Sequence, residues 1–147
     1  MEAAIAEEVG ARLAQDGAIL ICGGLGGVMK AACRGARTNG GFTVGILPGN
    51  DRHSANEWVS LAIAAGTGQA RNLAVARSAD VVIAVGGAYG TLSEIAFALD
   101  SGTPVVGIDS WSISRHGADK SPIVEAASAH EAVDIAMKLV AERSTTR

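Results

Sequence analysis

Apolar positions follow two different periods along this chain. Ile5, Val9 and Leu13 recur every four residues, with Glu7, Glu8 and Arg12 elsewhere on the turn, which predicts an amphipathic helix over residues 3–15 stopped by Gly17. Short continuous apolar runs at 18–22, 43–47, 80–85 and 105–108 have no alternation, as expected of parallel strands covered on both faces. Of these, 80–85 reads as the most buried. Weaker strand signals lie at 58–65 and 123–126, with a surface loop at 111–120. Further helices are predicted at 27–38, 69–78 and 91–101, and a last one opens on the capping box Ser128 to Glu131 and runs to about residue 142. Strands alternating with helices predict one α/β domain over 1–147, a doubly wound parallel sheet of Rossmann-like type.

Two strand-to-helix junctions are rich in glycine. The run ending at Cys22 passes through Gly23, Gly24, Gly26 and Gly27 into a helix, and the run ending at Val85 passes through Gly86, Gly87 and Gly90 to Thr91. At such a junction the first amides of the helix lack internal partners, the peptide dipoles leave partial positive charge, and glycine removes the Cβ that would block an oxyanion. Paired loops at the carboxyl ends of neighbouring parallel strands predict a crevice for a phosphorylated small molecule. A tight turn needs glycine too, so the loops have a purely conformational reading beside the ligand one. A dinucleotide fingerprint fits less well, because Leu47-Pro48-Gly49 stands where an acidic residue would hold a ribose.

Composition narrows the partners. The chain is 48% hydrophobic, 18% charged and 3% aromatic, so the core is aliphatic; the net charge of −3 without a basic cluster argues against nucleic acid as the main ligand. Neither a signal peptide nor an apolar run of membrane-spanning length stands out, giving the expectation of a cytoplasmic protein with no membrane partner. Cys22 and Cys33 read as small buried hydrophobes without zinc or redox-pair spacing, and His53, His116 and His130 share no ligand spacing, so no metal site is expected.

The ordered segments Gly-Gly-Leu-Gly-Gly-Val-Met, Gly-Ile-Leu-Pro-Gly-Asn, Gly-Gln-Ala-Arg-Asn and Gly-Gly-Ala-Tyr-Gly-Thr-Leu-Ser-Glu, covering roughly residues 13–108, resemble the Rossmann-like proteins related to molybdenum cofactor carrier proteins and the DprA/Smf group. These are cousins of the LOG-type proteins, whose resemblance implies release of a base from a nucleoside monophosphate. The LOG pattern Pro-Gly-Gly-x-Gly-Thr-x-x-Glu is matched here by Gly86, Gly87, Gly90, Thr91 and Glu94, with Arg71 in the place of the upstream arginine. Val85 replaces the proline and Asn72 a usual lysine, and these departures favour the carrier branch, in which the cleft holds a molybdenum cofactor or nucleotide without turning it over. The resemblance also implies a first central strand ahead of the opening helix, which this sequence lacks; the expectations are a misassigned or truncated start, or neighbouring strands that close the gap.

The candidate ligand residues are therefore Gly23, Gly24, Gly26, Gly27, Arg71, Asn72, Gly86, Gly87, Gly90 and Thr91, with Arg71 and Glu94 catalytic if the protein is an enzyme. Arg71 opens a predicted helix, where a cation opposes the dipole; a bound anion explains it, and a surface salt bridge is the alternative. Glu94 is a base or ribose contact in one reading and the end of a Thr91–Glu94 capping box in the other. An apolar face with Phe97 and Leu99 suggests a homo-oligomer, a dimer or tetramer.

Overall fold

The structure, a computed structural model, describes residues 1–145. In chain order it runs α1 (Glu2–Gln15), β1 (Leu20–Cys22), α2 (Val28–Thr38), β2 (Thr43–Leu47), β3 (Leu61–Ala64), α3 (Arg71–Ser78), β4 (Val82–Val85), α4 (Tyr89–Asp100), β5 (Val105–Ile108), β6 (Ile123–Glu125) and α5 (Ala129–Thr145). All strand pairs are parallel, in two three-stranded sheets ordered β1-β2-β3 and β4-β5-β6. This is the α/β, Rossmann-like arrangement expected from the pattern. No helix among the described residues is long and apolar enough to cross a membrane.

Side chains on β4 and β5 alternate between two covered faces. Ile83, Val85, Val106 and Ile108 pack with Ala6 and Val9 of α1 and with Ala132, Val133 and Ala136 of α5. Val82, Ala84 and Val105 point the other way, against Ala76 of α3 and Ile95 and Ala98 of α4. Period-two alternation with both faces covered leaves no polar stripe, which is why the run at 105–108 reads as continuously apolar. The most buried strand is β5, not β4 as expected: all four β5 residues are buried, whereas Val82 and Ile83 are only partly so. The cause is position. β5 is central in its sheet, while β4 pairs with β5 alone.

β1 likewise pairs with β2 alone, and both β1 and β4 contact α1. The free edges of these two strands do not pair with each other, so the neighbouring strands do not close on the position where the resemblance implies a further strand. On the outer side, β3 leaves Leu61 and Ile63 nearly half exposed. The apolar face foreseen on α4 is instead partly used internally, with Phe97 and Leu99 packed on the core beside Trp111.

Two glycines set the crossing of α1 and α2. A Cβ at Gly10 would overlap the Ala32 carbonyl, and one at Gly35 the Glu7 carbonyl, so each helix rests on the other's backbone. Arg34 reinforces the contact, donating to Glu7 at 2.5 Å. At the far end, the amide of Glu131 donates to Ser128 Oγ (3.1 Å) and the amide of Ala127 to Glu131 Oε2 (2.6 Å), a capping box reaching back one residue further than the usual one. Ser128→Ala should lower stability by about 1 kcal/mol in urea unfolding, with an unchanged m-value.

Candidate functional site

The first glycine loop leaves β1 and enters α2 at Gly27, whose φ of 65° and ψ of −132° is open only to glycine. Gly24 lies against the backbone of Gly45 on β2, while Gly26 and Gly27 are exposed with open space where a Cβ would project. Asn56 fastens the loop: its amide donates to the Gly24 carbonyl (2.9 Å) and its side chain to the Leu25 carbonyl (2.8 Å).

The second loop leaves β4 with Gly86 at φ 54° and Gly87 at φ 111°. Ser110 Oγ donates to the Gly86 carbonyl (2.6 Å) and Trp111 Nε1 to the Ala88 carbonyl (3.1 Å), so the segment after β5 holds this loop in place. Tyr89 and Trp111 lie with ring centroids 5.7 Å apart, and Tyr89 is 79% exposed. Beside them a cavity of about 200 Å³ at the carboxyl ends of β5 and β6 is lined by Asp109, Ser110, Trp111 and Glu125.

Between the loops lies Arg71. It is only 6% exposed, and its Nε has no hydrogen-bond partner among the described residues. A Cβ on Gly23 would come within 2.6 Å of its Nη2, so the absence of a side chain at Gly23 is what lets the guanidinium reach the first loop. Nη1 donates to Asn72 Oδ1, and Asn72 Nδ2 donates to Ser93 Oγ at 3.1 Å. Ser93 in turn donates to the Gly90 carbonyl at 2.7 Å, which connects Arg71 to the second loop. A buried, unsatisfied donor costs about 1–3 kcal/mol, so this arginine is held in place at the expense of stability. That rules against the surface salt bridge considered from sequence.

Glu94 lies on α4, which begins at Tyr89 after an Ala88 cap without a side-chain hydrogen bond. Thr91 is therefore already inside the helix, packed against Gly87, and the Thr91–Glu94 capping box does not form. Burial pushes the Glu94 carboxyl above its ordinary value of 4.5, and the charge of Arg71 pulls it part of the way back. A carboxyl whose pKa is raised on folding binds its proton more tightly in the native state. Its contribution is full below the unfolded pKa and is lost as pH rises through the folded one. Glu94→Gln should accordingly flatten the fall in melting temperature from about pH 4 upward; an unchanged slope would show that the carboxyl is not desolvated.

Glu2, at the N-terminus of α1, places its carboxylate against Gly86, where a Cβ would stand. A negative group thus already rests on the second loop, as the local positive potential favours. It is an exposed side chain, free to move aside for a ligand.

The arrangement brings together Gly23, Arg71, Asn72 and Gly90, and leaves Gly26, Gly27 and Gly87 open to solvent. Sequence reasoning missed Ser93, Asn56, Ser110 and Glu2. Ser93 sits inside the motif, one residue before Glu94, but nothing in its spacing marked it as the partner of Asn72.

Parallel strands ending in glycine loops on a Rossmann-like scaffold define the class. The chain belongs to the SLOG cluster4 family, which it matches over residues 1–138. It is 46% identical over 104 residues to a protein of Archaeoglobus fulgidus, spanning 71% of this chain and 68% of that one. Among solved structures it is similar to the molybdenum cofactor binding protein of Rippkaea orientalis, with 32% identity, a TM-score of 0.84 and coverage of 95% of this chain and 88% of the other. It is similar also to the molybdenum cofactor carrier protein of Chlamydomonas reinhardtii, with 33% identity, a TM-score of 0.84 and the same coverage.

Proposed function

We propose that the protein binds the molybdenum cofactor, a phosphate-bearing pterin, as a carrier, with the phosphate held by loop amides at residues 23–27 and 86–91 and by Arg71. The observation that carries this reading is the buried guanidinium with an unpartnered Nε, set between two strand-end loops. Guanidinium and backbone amides together suit a tetrahedral oxyanion, since the planar fork takes two oxygens and the loop donors the others. The exposed Tyr89 ring, with the partly buried Trp111 ring 5.7 Å from it, offers an aromatic surface for the ring end of the same ligand. The likeness to cofactor-binding proteins in Rippkaea and Chlamydomonas supports the pterin over other phosphorylated molecules.

Fluorescence titration with purified cofactor, with AMP and inorganic phosphate as competitors, tests the reading. Saturable cofactor binding displaced by phosphate supports it; no binding of the cofactor to the folded protein overturns it.

The nucleotide reading rests on Glu94, a partly desolvated carboxyl near Arg71. If the protein is a phosphoribohydrolase, AMP releases free adenine in a reaction that Glu94→Ala abolishes. Intact AMP recovered from a saturated complex removes that reading and leaves the carrier. We extend the proposal to a homo-oligomer, with exposed Leu61 and Ile63 on β3 as the contact; light scattering at the monomer mass would contradict it.

A further inference from the structure

Cys22 and Cys33 are eleven residues apart and look unrelated in the sequence, but the fold brings their sulfurs to 3.5 Å. Cys22 ends β1 immediately before the first glycine loop, and Cys33 lies one helix later on α2, so the pair spans the base of that loop. The two are not equivalent. Cys33 is fully buried, whereas Cys22 is partly exposed and accepts a hydrogen bond from the Gly24 amide at 3.4 Å.

We propose that Cys22 and Cys33 form a reversible dithiol–disulfide pair, with Cys22 the attacking thiolate and Cys33 the resolving thiol, and with a peroxide as the oxidant. The inference rests on the sulfur contact and does not depend on what the loops bind.

The asymmetry sets the roles. Hydrogen bonding from the Cys33 thiol does most to lower the Cys22 pKa; burial opposes it, the Gly24 amide and the Arg71 charge act with it, the Glu94 charge acts against it, and the balance lies below the ordinary thiol value. Donation to Cys22 and burial raise that of Cys33, which keeps its proton. A thiolate is the reactive form, and low pKa with access to solvent is what distinguishes a reactive cysteine from an inert buried one. Hydrogen peroxide is small enough for a partly buried sulfur. The Cys22 thiolate attacks one peroxide oxygen, the O–O bond breaks, and hydroxide leaves as Cys22 becomes a sulfenic acid. Cys33 sulfur then attacks Cys22 sulfur and the S–O bond breaks. The departing hydroxide takes the Cys33 proton, and the hydroxide released first takes a proton from solvent. The thiolate's own proton has already gone to solvent, so two thiols and one peroxide give one disulfide and two waters, with two electrons passing from sulfur to oxygen.

Closing 3.5 Å to a bond of about 2 Å needs a relative shift of about 1.5 Å between the end of β1 and α2. The bond would tie β1 to α2 on both sides of the loop at 23–27.

The test is intact-mass and peptide mass spectrometry of the full chain after brief treatment with stoichiometric hydrogen peroxide. The expected result is loss of two hydrogen masses, one peptide pair linked through Cys22 and Cys33, and full reversal by dithiothreitol. Cys33→Ser, its fold checked by circular dichroism, should accumulate a dimedone-reactive sulfenic acid at Cys22 at least about 10-fold above Cys22→Ser. The proposal is overturned if the wild-type chain gains oxygen at either cysteine without cross-linking, links only between molecules, or keeps both thiols free. The wild-type result decides the matter even if Cys33→Ser fails to fold.

Discussion

Arg71→Met should abolish measurable binding of a phosphorylated ligand while leaving the unliganded protein as stable as the parent, or more stable. Two charge-assisted hydrogen bonds of about 1.5–3 kcal/mol each disappear with the guanidinium, and each 1.4 kcal/mol is tenfold in affinity, so a loss of about 100-fold or more is expected. Stability moves the other way because of what the arginine lacks. Its Nε is buried without a partner among the described residues, and methionine fills a similar volume with no polar atom to desolvate. Asn72 Nδ2 keeps its contacts to Ser93 and Gln69, while the buried Oδ1 loses the Arg71 donor, a cost that offsets part of this gain. Isothermal titration calorimetry and thermal unfolding of the same samples read both effects. A fall in unliganded stability of about 3 kcal/mol with affinity retained would make Arg71 a structural residue.

Gly35→Ala should cause the largest loss of stability of any single methyl addition in the chain. The new Cβ would meet the Glu7 carbonyl, and a backbone atom in the middle of a helix cannot turn away as a side chain can. The helices α1 and α2 must therefore move apart, opening gaps around Ala6, Val9, Ala31 and Ala36, all of which are nearly inaccessible. We expect about 3 kcal/mol, a drop in melting temperature of about 10 °C. Gly10→Ala meets the Ala32 carbonyl on the other side of the same contact. Both substitutions force one separation, so the double variant should lose clearly less than the sum. Full additivity would mean that the contacts are independent. The helices also start at the candidate site, α1 with Glu2 against Gly86 and α2 with the turn at Gly27, so the variants should weaken ligand binding as well.

The strands were legible where burial is complete or nearly so. Thr43–Leu47 and Val105–Ile108 are bounded in the structure as the apolar runs predict, because a parallel strand covered on both faces needs apolar residues throughout. The relative burial of β4 was not legible, since whether a strand has one neighbour or two is a property of the assembled sheet. The start of α4 was misjudged for a local reason. The capping pattern at Thr91–Glu94 suggested a helix beginning at residue 91, but Gly87 at φ 111° lets the helix start at Tyr89 without a side-chain cap.

The candidate site was legible as residue types and not as contacts. Glycines at strand ends point to exposed amides from sequence alone, and an arginine at a helix start is electrostatically out of place. That Arg71 lies against Gly23 and reaches Gly90 through Asn72 and Ser93 depends on α3 packing between the two loops. The cysteine pair was invisible for the same reason: eleven residues of strand, loop and helix return Cys33 to Cys22 only after α2 docks on β1.

The most direct test of the central claim is a crystal structure of the protein grown with the molybdenum cofactor or, as a simpler probe, AMP. The account predicts one phosphate within hydrogen-bond distance of Arg71 Nε and of amides from both glycine loops, with the Glu2 carboxylate displaced from Gly86. A phosphate bound elsewhere, with Arg71 Nε still unpartnered, would contradict it.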